Sequence, residues 1–435
     1  MAVFQIKDHI LKTLPSATLA INEQSAAMIA SGRKVIRFGF GQSPFPVPDI
    51  VRESLRAHAH EKAYLPVKGL QGLRVAAADF LSRTRDIDLT AEQILIGPGS
   101  KELIYLMQTC LKGTLYLPTP SWVSYGPQSE IIGNKVKWLH TRYKASWKVT
   151  AEMLESEVNE QGFLILNYPN NPTGMTYTAE ELMAIAEVAR RKELLVISDE
   201  IYAMTSFSGS HVSIAKFYPE GTIISTGLSK WCGAGGWRLG IASFPEACAD
   251  FLKYVAILAS ETFTSVNAPV QFAAITAYEE MDELALYLKQ TRQILKVVSE
   301  LAYQKLHEIK IECARPQGGY YFFVDFRNYR EQLNARGITT SDELCKKLLN
   351  DKAVAMLPGS VFGRSPEELN ARLSFVDFDG IKALENVGTL NEDDPENWIN
   401  SWAPNVGIGI SRIESWLTSQ QSLSKKAELK QSINR

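Results

Sequence analysis

Between residues 94 and 243, seven short β-rich runs recur, at 94–96, 114–117, 136–139, 163–166, 194–198, 222–225 and 239–243, with helical stretches among them. That rhythm leaves few architectures open. Several runs are continuously apolar, as Phe163-Leu164-Ile165-Leu166 is, which is the pattern of a strand buried on both faces. The stretches between carry helix signals: apolar residues at helical spacing over 102–111, and a Thr178 cap followed by an acidic first turn over 178–190. Alternation of this kind predicts an α/β fold, a mostly parallel seven-stranded sheet covered by helices. Such a sheet binds its ligand beyond the carboxyl ends of its strands.

The pattern changes near residue 283. A long helical stretch over 283–308 precedes β-rich runs at 309–313, 320–325, 353–356 and 372–375, which read as a second, smaller α+β domain. At 435 residues the chain exceeds what one core usually fills. The expected division is a large domain over 49–295 and a small one formed by 1–48 with 296–417, because the segment up to Pro48 is too short to build a core alone. Residues 418–435, rich in Ser, Gln and Lys, read as a frayed helix or a disordered tail.

Charge and composition narrow the function classes. With 46 basic and 48 acidic side chains the net charge is −2, so no basic excess drives binding to nucleic acid or to an anionic membrane. Five scattered cysteines without a CxxC pair argue against a disulfide framework or a zinc site and fit a reducing cytoplasm. Lys7, Asp8 and Lys12 interrupt the N-terminal stretch, leaving no apolar signal core, and no apolar run approaches the roughly 20 residues of a membrane helix. Six histidines without HExxH spacing give no metal site.

Four unusual loops follow candidate strands, so one site can collect them. Gly97-Pro98-Gly99-Ser100-Lys101 opens a helix, where glycines let the backbone approach an anion and free N–H groups face it. It lacks the Walker spacing, and neither it nor Gly39-Phe40-Gly41 makes a dinucleotide fingerprint. NYPNNPTG at 167–174 is a stiff, particular turn, although the bland reading is a tight connection. Ser198-Asp199-Glu200-Ile201-Tyr202 puts a carboxylate at a strand end, where it either caps a helix or pairs with a cationic ring nitrogen. The last loop, 225–240, carries Lys230 among small and aromatic residues, with Arg238 eight positions on. A lone lysine reads as a solvated surface group, but one in such surroundings can have a lowered pKa and act as an amine nucleophile, and an arginine offers a fork of donors to a phosphate.

With these loops in this order, from about Pro15 to about Phe378, the chain resembles the fold-type I, class I/II aminotransferases, which use pyridoxal 5′-phosphate (PLP). The resemblance implies catalytic roles for Lys230, Asp199 and Tyr202. Lys230 holds the cofactor as a Schiff base and later shuttles a proton, while Asp199 pairs with the pyridinium nitrogen. Tyr202 and Asn171 hydrogen-bond the ring 3-oxygen. Trp122 stacks on the ring, where the bland reading is a core aromatic. Arg238, Ser229 or Thr226, and the Ser100–Lys101 loop form the phosphate cup. Tyr64, in Tyr64-x(4)-Gly69-x(4)-Arg74, reaches the phosphate of a neighbouring subunit, implying a homodimer with shared sites. Arg372 binds the substrate α-carboxylate bidentately, its bland alternative being a structural ion pair, and Gly41 lines the substrate site beside Asn171.

Pro15-Ser16-Ala17-Thr18-Leu19-Ala20 resembles the signature of the Ib branch, which includes bacterial aspartate and prephenate aminotransferases. Lys101 falls where that branch has a lysine facing a distal carboxylate. Both favour aspartate or another dicarboxylate with an acceptor such as 2-oxoglutarate. Gln42-Ser43 and Trp231-Cys232-Gly233-Ala234-Gly235-Gly236 depart from the branch pattern and keep aromatic and neutral amino acids open, as does the aromatic run 320–323. A PLP-dependent lyase or synthase shares these motifs. A DNA-binding regulator on this domain needs an added helix-turn-helix module, for which the sequence ahead of Gly39 is too short.

Overall fold

The computed structural model describes residues 5–11, 17–391 and 393–418. The predicted tail beyond residue 418, and Pro15 and Ser16 of the N-terminal signature, lie outside the described residues. No described helix is long and apolar enough to cross a membrane.

Among the described residues the seven candidate runs become strands β1 (Ile94–Gly97), β2 (Thr114–Thr119), β3 (Val136–His140), β4 (Gly162–Asn167), β5 (Leu195–Asp199), β6 (Thr222–Gly227) and β7 (Gly240–Ser243). They form one sheet in the order β1-β7-β6-β5-β4-β2-β3, in which β7 alone runs antiparallel to its neighbours. Alternation along each strand feeds two cores, one per face. Ile94 and Ile96 pack with the helices Gln71–Arg85 and Ala268–Glu279, while Leu95 packs with the helices Ser100–Cys110 and Ala249–Thr262. Farther along the sheet, Leu164, Leu166 and Val196 meet Leu182, Ile185 and Val188 of the helix Ala179–Arg191. That helix starts where the sequence indicates, at a reciprocal cap between Thr178 and Glu181.

The long helix spans Met281–Glu308 and leads to a small antiparallel sheet of β8 (Tyr321–Asp325), β9 (Leu357–Pro358) and β10 (Asn370–Ser374), in the order β8-β10-β9. Two predicted strands are corrected. Residues 309–313 make only the bridge between Glu312 and Asp325, since Pro316 has no N–H to continue a ladder and Gln317 turns away to bond the Gly174 carbonyl. Residues 353–356 pair instead with the N-terminal segment, through Ile36 N–H to Ala353 O and Ala355 N–H to Ile36 O. Ile36 and Phe38 share an apolar cluster with Ile294, Phe322, Leu373 and Ile410, so the N-terminal segment is packed against the small sheet.

Candidate active site

The register of the large sheet aligns the strand ends. Asn167 of β4 pairs with Asp199 of β5, Asp199 with Ser225 of β6, and Gly240 of β7 with both Gly97 of β1 and Gly227 of β6. The loops leaving these ends therefore open on one place. There they enclose, with segments from the small-sheet side, a cavity of about 470 Å³.

One corner has the features that suit an anion. Gly99 holds φ 97° and ψ 152°, a conformation essentially reserved for glycine, and a Cβ there would run into the Arg238 guanidinium. The helix Ser100–Cys110 starts immediately after it, so its unpaired N–H groups face this corner. Arg238, itself left-handed at φ 56°, donates to Gly235 O at 2.9 Å and to Pro98 O at 3.2 Å. Ser100, Lys101, Ser229 and Arg238 all line the cavity.

The centre is built from the ends of β4, β5 and β6. Asp199 is buried, its Oδ2 accepting from the Tyr125 hydroxyl at 2.5 Å and its Oδ1 from Ile201 N–H at 3.2 Å. Burial pushes its carboxyl up to about 6, against the pull of those two hydrogen bonds. Asn167 clamps the turn by donating to Asp199 O at 2.9 Å and accepting from Asn171 N–H at 2.7 Å. Lys230 Nζ donates to Gly41 O at 2.8 Å and lies 5.3 Å from the centre of the Tyr202 ring. Burial holds its ammonium below the ordinary lysine range. Trp122 forms a further wall, its ring 5.1 Å from that of Tyr125 and edge-on to it.

The small sheet contributes Arg372. It is buried, with Nη1 donating to Asn171 Oδ1 at 3.0 Å, Nη2 to Gly39 O at 2.7 Å, and Nε buried without a partner. Its guanidinium sits 4.4 Å over the Tyr321 ring, and the Tyr321 hydroxyl meets that of Tyr202 at 2.8 Å. No carboxylate pairs with Arg372, so the structural ion pair weighed from sequence is absent among the described residues.

Of the residues singled out from sequence, Gly41, Ser100, Lys101, Trp122, Asn171, Asp199, Tyr202, Ser229, Lys230, Arg238 and Arg372 stand on the cavity wall. Two do not. Thr226 is buried within β6, held by its strand pairing to Ile241, and the cavity takes Ser229 from the following loop instead. Tyr64 is 91% exposed and stands off the cavity of its own chain. No pattern in the sequence singles out Tyr125 or Asn167. Tyr125 lies three residues past Trp122, where a helix begins, and Asn167 sits inside a motif read for Asn171. Tyr321, on the cavity wall, belongs to the aromatic run 320–323 noted from sequence.

The family described as "Aminotransferase class I and II" matches residues 33–383. An aspartate aminotransferase of Geobacillus stearothermophilus is 35% identical over 395 residues, spanning 88% of this chain and 97% of its own. An aspartate/prephenate aminotransferase of Cereibacter sphaeroides is 28% identical over 390 residues, 86% of this chain and 95% of its own. Among solved structures, an aspartate aminotransferase from Thermus thermophilus with maleate superposes at a TM-score of 0.79 with 25% identity, covering 89% of this chain and 100% of that one.

Proposed function

The chain belongs to the class I and II aminotransferases, enzymes that use PLP to move amino groups between amino acids and 2-oxo acids, and on that premise we propose that its donor is aspartate or another dicarboxylic amino acid, with an acceptor such as 2-oxoglutarate. The residues fit the cofactor. A glycine corner at a helix start suits a phosphate, a buried carboxylate whose environment resists its charge suits a ring cation, and a buried lysine below its ordinary range suits an aldehyde. Bound there, PLP supplies a carbonyl that takes up the amino group and a cationic ring that draws electrons from the substrate Cα.

The chain's own residues then have these roles. Lys230 Nζ, buried on the cavity wall, would anchor the cofactor and hold or return the substrate's Cα proton. Asp199 would hold a proton on the ring nitrogen. Tyr202, Asn171 and Trp122, which line the same cavity, would hold the cofactor's ring. Ser100, Ser229 and Arg238 would grip the phosphate. Arg372, with a spare Nε, takes the substrate α-carboxylate as a planar fork. The observation that carries this reading is that Lys230, Asp199 and Arg372, from three separate segments, share one cavity.

The dicarboxylate reading rests on Lys101, a cationic wall residue 5.6 Å from the centre of the Trp122 ring. The test is a panel of amino donors with 2-oxoglutarate, run on wild type and Lys101→Ala. The variant is expected to lose about tenfold or more in kcat/KM for aspartate and little for alanine or phenylalanine. Equal losses across the panel, or a wild type that prefers phenylalanine, would move the specificity to the aromatic wall that Tyr321 and Phe40 supply.

The proposal extends to a cytoplasmic homodimer with shared sites. Its supports are the exposure of Tyr64, which is free to reach a neighbouring subunit, and five cysteines without a disulfide. The division into 49–295 and 1–48 with 296–417 is supported by the packing of Ile36 and Phe38 on the small sheet.

A further inference from the structure

We propose that Tyr125 is a positioning residue for Asp199, its hydroxyl aiming the carboxylate and keeping it ionised so that it can hold a proton on the cofactor's ring nitrogen. The inference rests on the assignment of Asp199 as the ring partner and goes beyond it. Tyr125 opens the helix Tyr125–Ile132 and is 1% exposed, while Asp199, at the end of β5, is 3% exposed. A hydroxyl has one proton, and this one is given to Asp199 Oδ2. The other oxygen has Ile201 N–H at the longer distance of 3.2 Å.

The charges around Asp199 leave this bond a large share of the work. Glu200, next in the chain, opposes ionisation, although Arg85 Nε at 2.5 Å compensates it. Lys230 favours ionisation, but its amine is the group the cofactor occupies. Arg238, Arg372 and Lys101 stand elsewhere on the wall, over the phosphate corner and the small-sheet side. Burial is the strongest influence and acts to neutralise the carboxyl, and the Tyr125 hydrogen bond is the strongest that opposes it. The Tyr125 hydroxyl is itself held well above the ordinary tyrosine range by burial and by Asp199, so it remains a donor throughout the working pH range. Its ring packs edge-on against Trp122, which means that Tyr125→Phe deletes the donor and keeps the packing.

The experiment measures PLP affinity of the full-length protein between pH 5 and 8.5, with steady-state kinetics alongside, for wild type, Tyr125→Phe, Asp199→Ala and a protein carrying difluorotyrosine in place of Tyr125. Binding needs an ionised Asp199, so affinity falls at the acid end. In Tyr125→Phe the midpoint of that limb is expected to move up by about one to two pH units, the curves converging at alkaline pH. Turnover falls about tenfold while KM for the amino acid stays within about twofold, since Tyr125 does not bear on Arg372. Difluorotyrosine, a stronger donor of nearly the same shape, moves the midpoint down, and this arm decides if Tyr125→Phe does not fold. Midpoints that coincide in wild type, Tyr125→Phe and the fluorinated protein overturn the proposal. If Asp199→Ala binds PLP as wild type does, with the same acid limb, the ring-partner assignment itself fails.

Discussion

At the scale of single residues, Asp199 is where function and stability conflict. Its carboxyl titrates at about 6 in the fold against an ordinary value of 3.8. Between those values the folded chain binds more protons than the unfolded one, so stability falls as pH rises through the window, and the whole deficit stands above pH 6. Two pKa units correspond to about 3 kcal/mol. Asn has nearly the same shape and carries no charge; its one oxygen still accepts from Tyr125, while the weaker 3.2 Å bond from Ile201 N–H is given up. Cofactor-free Asp199→Asn is therefore expected to be more stable than cofactor-free wild type at pH 7.5, by up to about 3 kcal/mol in urea unfolding. The advantage shrinks as pH falls toward 4.5, and PLP binding is lost. An advantage independent of pH, or none, would contradict the burial argument. Lys230 and Asp199 were legible in the sequence because their loops carry motifs in a fixed order. Tyr125 was not, because a tyrosine at a helix start has no pattern of its own, and only the pairing of β2 through β4 to β5 brings its hydroxyl to a carboxylate 74 positions away.

At the scale of elements, the turn from β1 into the helix Ser100–Cys110 shows how a loop serves chemistry. Gly99 lies where other residues incur about 1–3 kcal/mol of backbone strain, and its missing Cβ leaves room for Arg238. Gly99→Ala is expected to lower stability by that amount and, by displacing the guanidinium, to weaken PLP binding about tenfold, as urea unfolding and cofactor titration can measure. Unchanged affinity would remove Arg238 and this turn from the phosphate corner. The seven strands of the large sheet were legible to within a residue or two, because a strand buried on both faces must be apolar throughout, as β4 is. The small sheet was harder. Ile311 and Cys313 alternate and are buried as strand residues are, yet a ladder needs a partner in register, and 309–313 finds one only at Glu312. The run 353–356 finds its partner in the N-terminal segment, more than 300 residues away, a pairing no local pattern reveals.

At the scale of the whole molecule, the site exists because two sheets meet. The large sheet brings Asp199 and Lys230 to its strand ends, and the small sheet brings Arg372 on β10, with Gly41 arriving on the N-terminal segment that packs there. On the proposed roles, substrate carboxylate and cofactor would be held from opposite parts of the chain, which suits an enzyme that must orient a Cα–H bond against a fixed amine. The most direct test of this account is borohydride reduction of the PLP-loaded protein, before and after aspartate is added without an acceptor, followed by peptide mass mapping. Before aspartate the pyridoxyl phosphate mass is expected on the peptide containing Lys230. Afterwards that peptide is expected to be free, with one oxo acid released per site. A label on another lysine, or aspartate consumed with cleavage and no oxo acid formed, would contradict it.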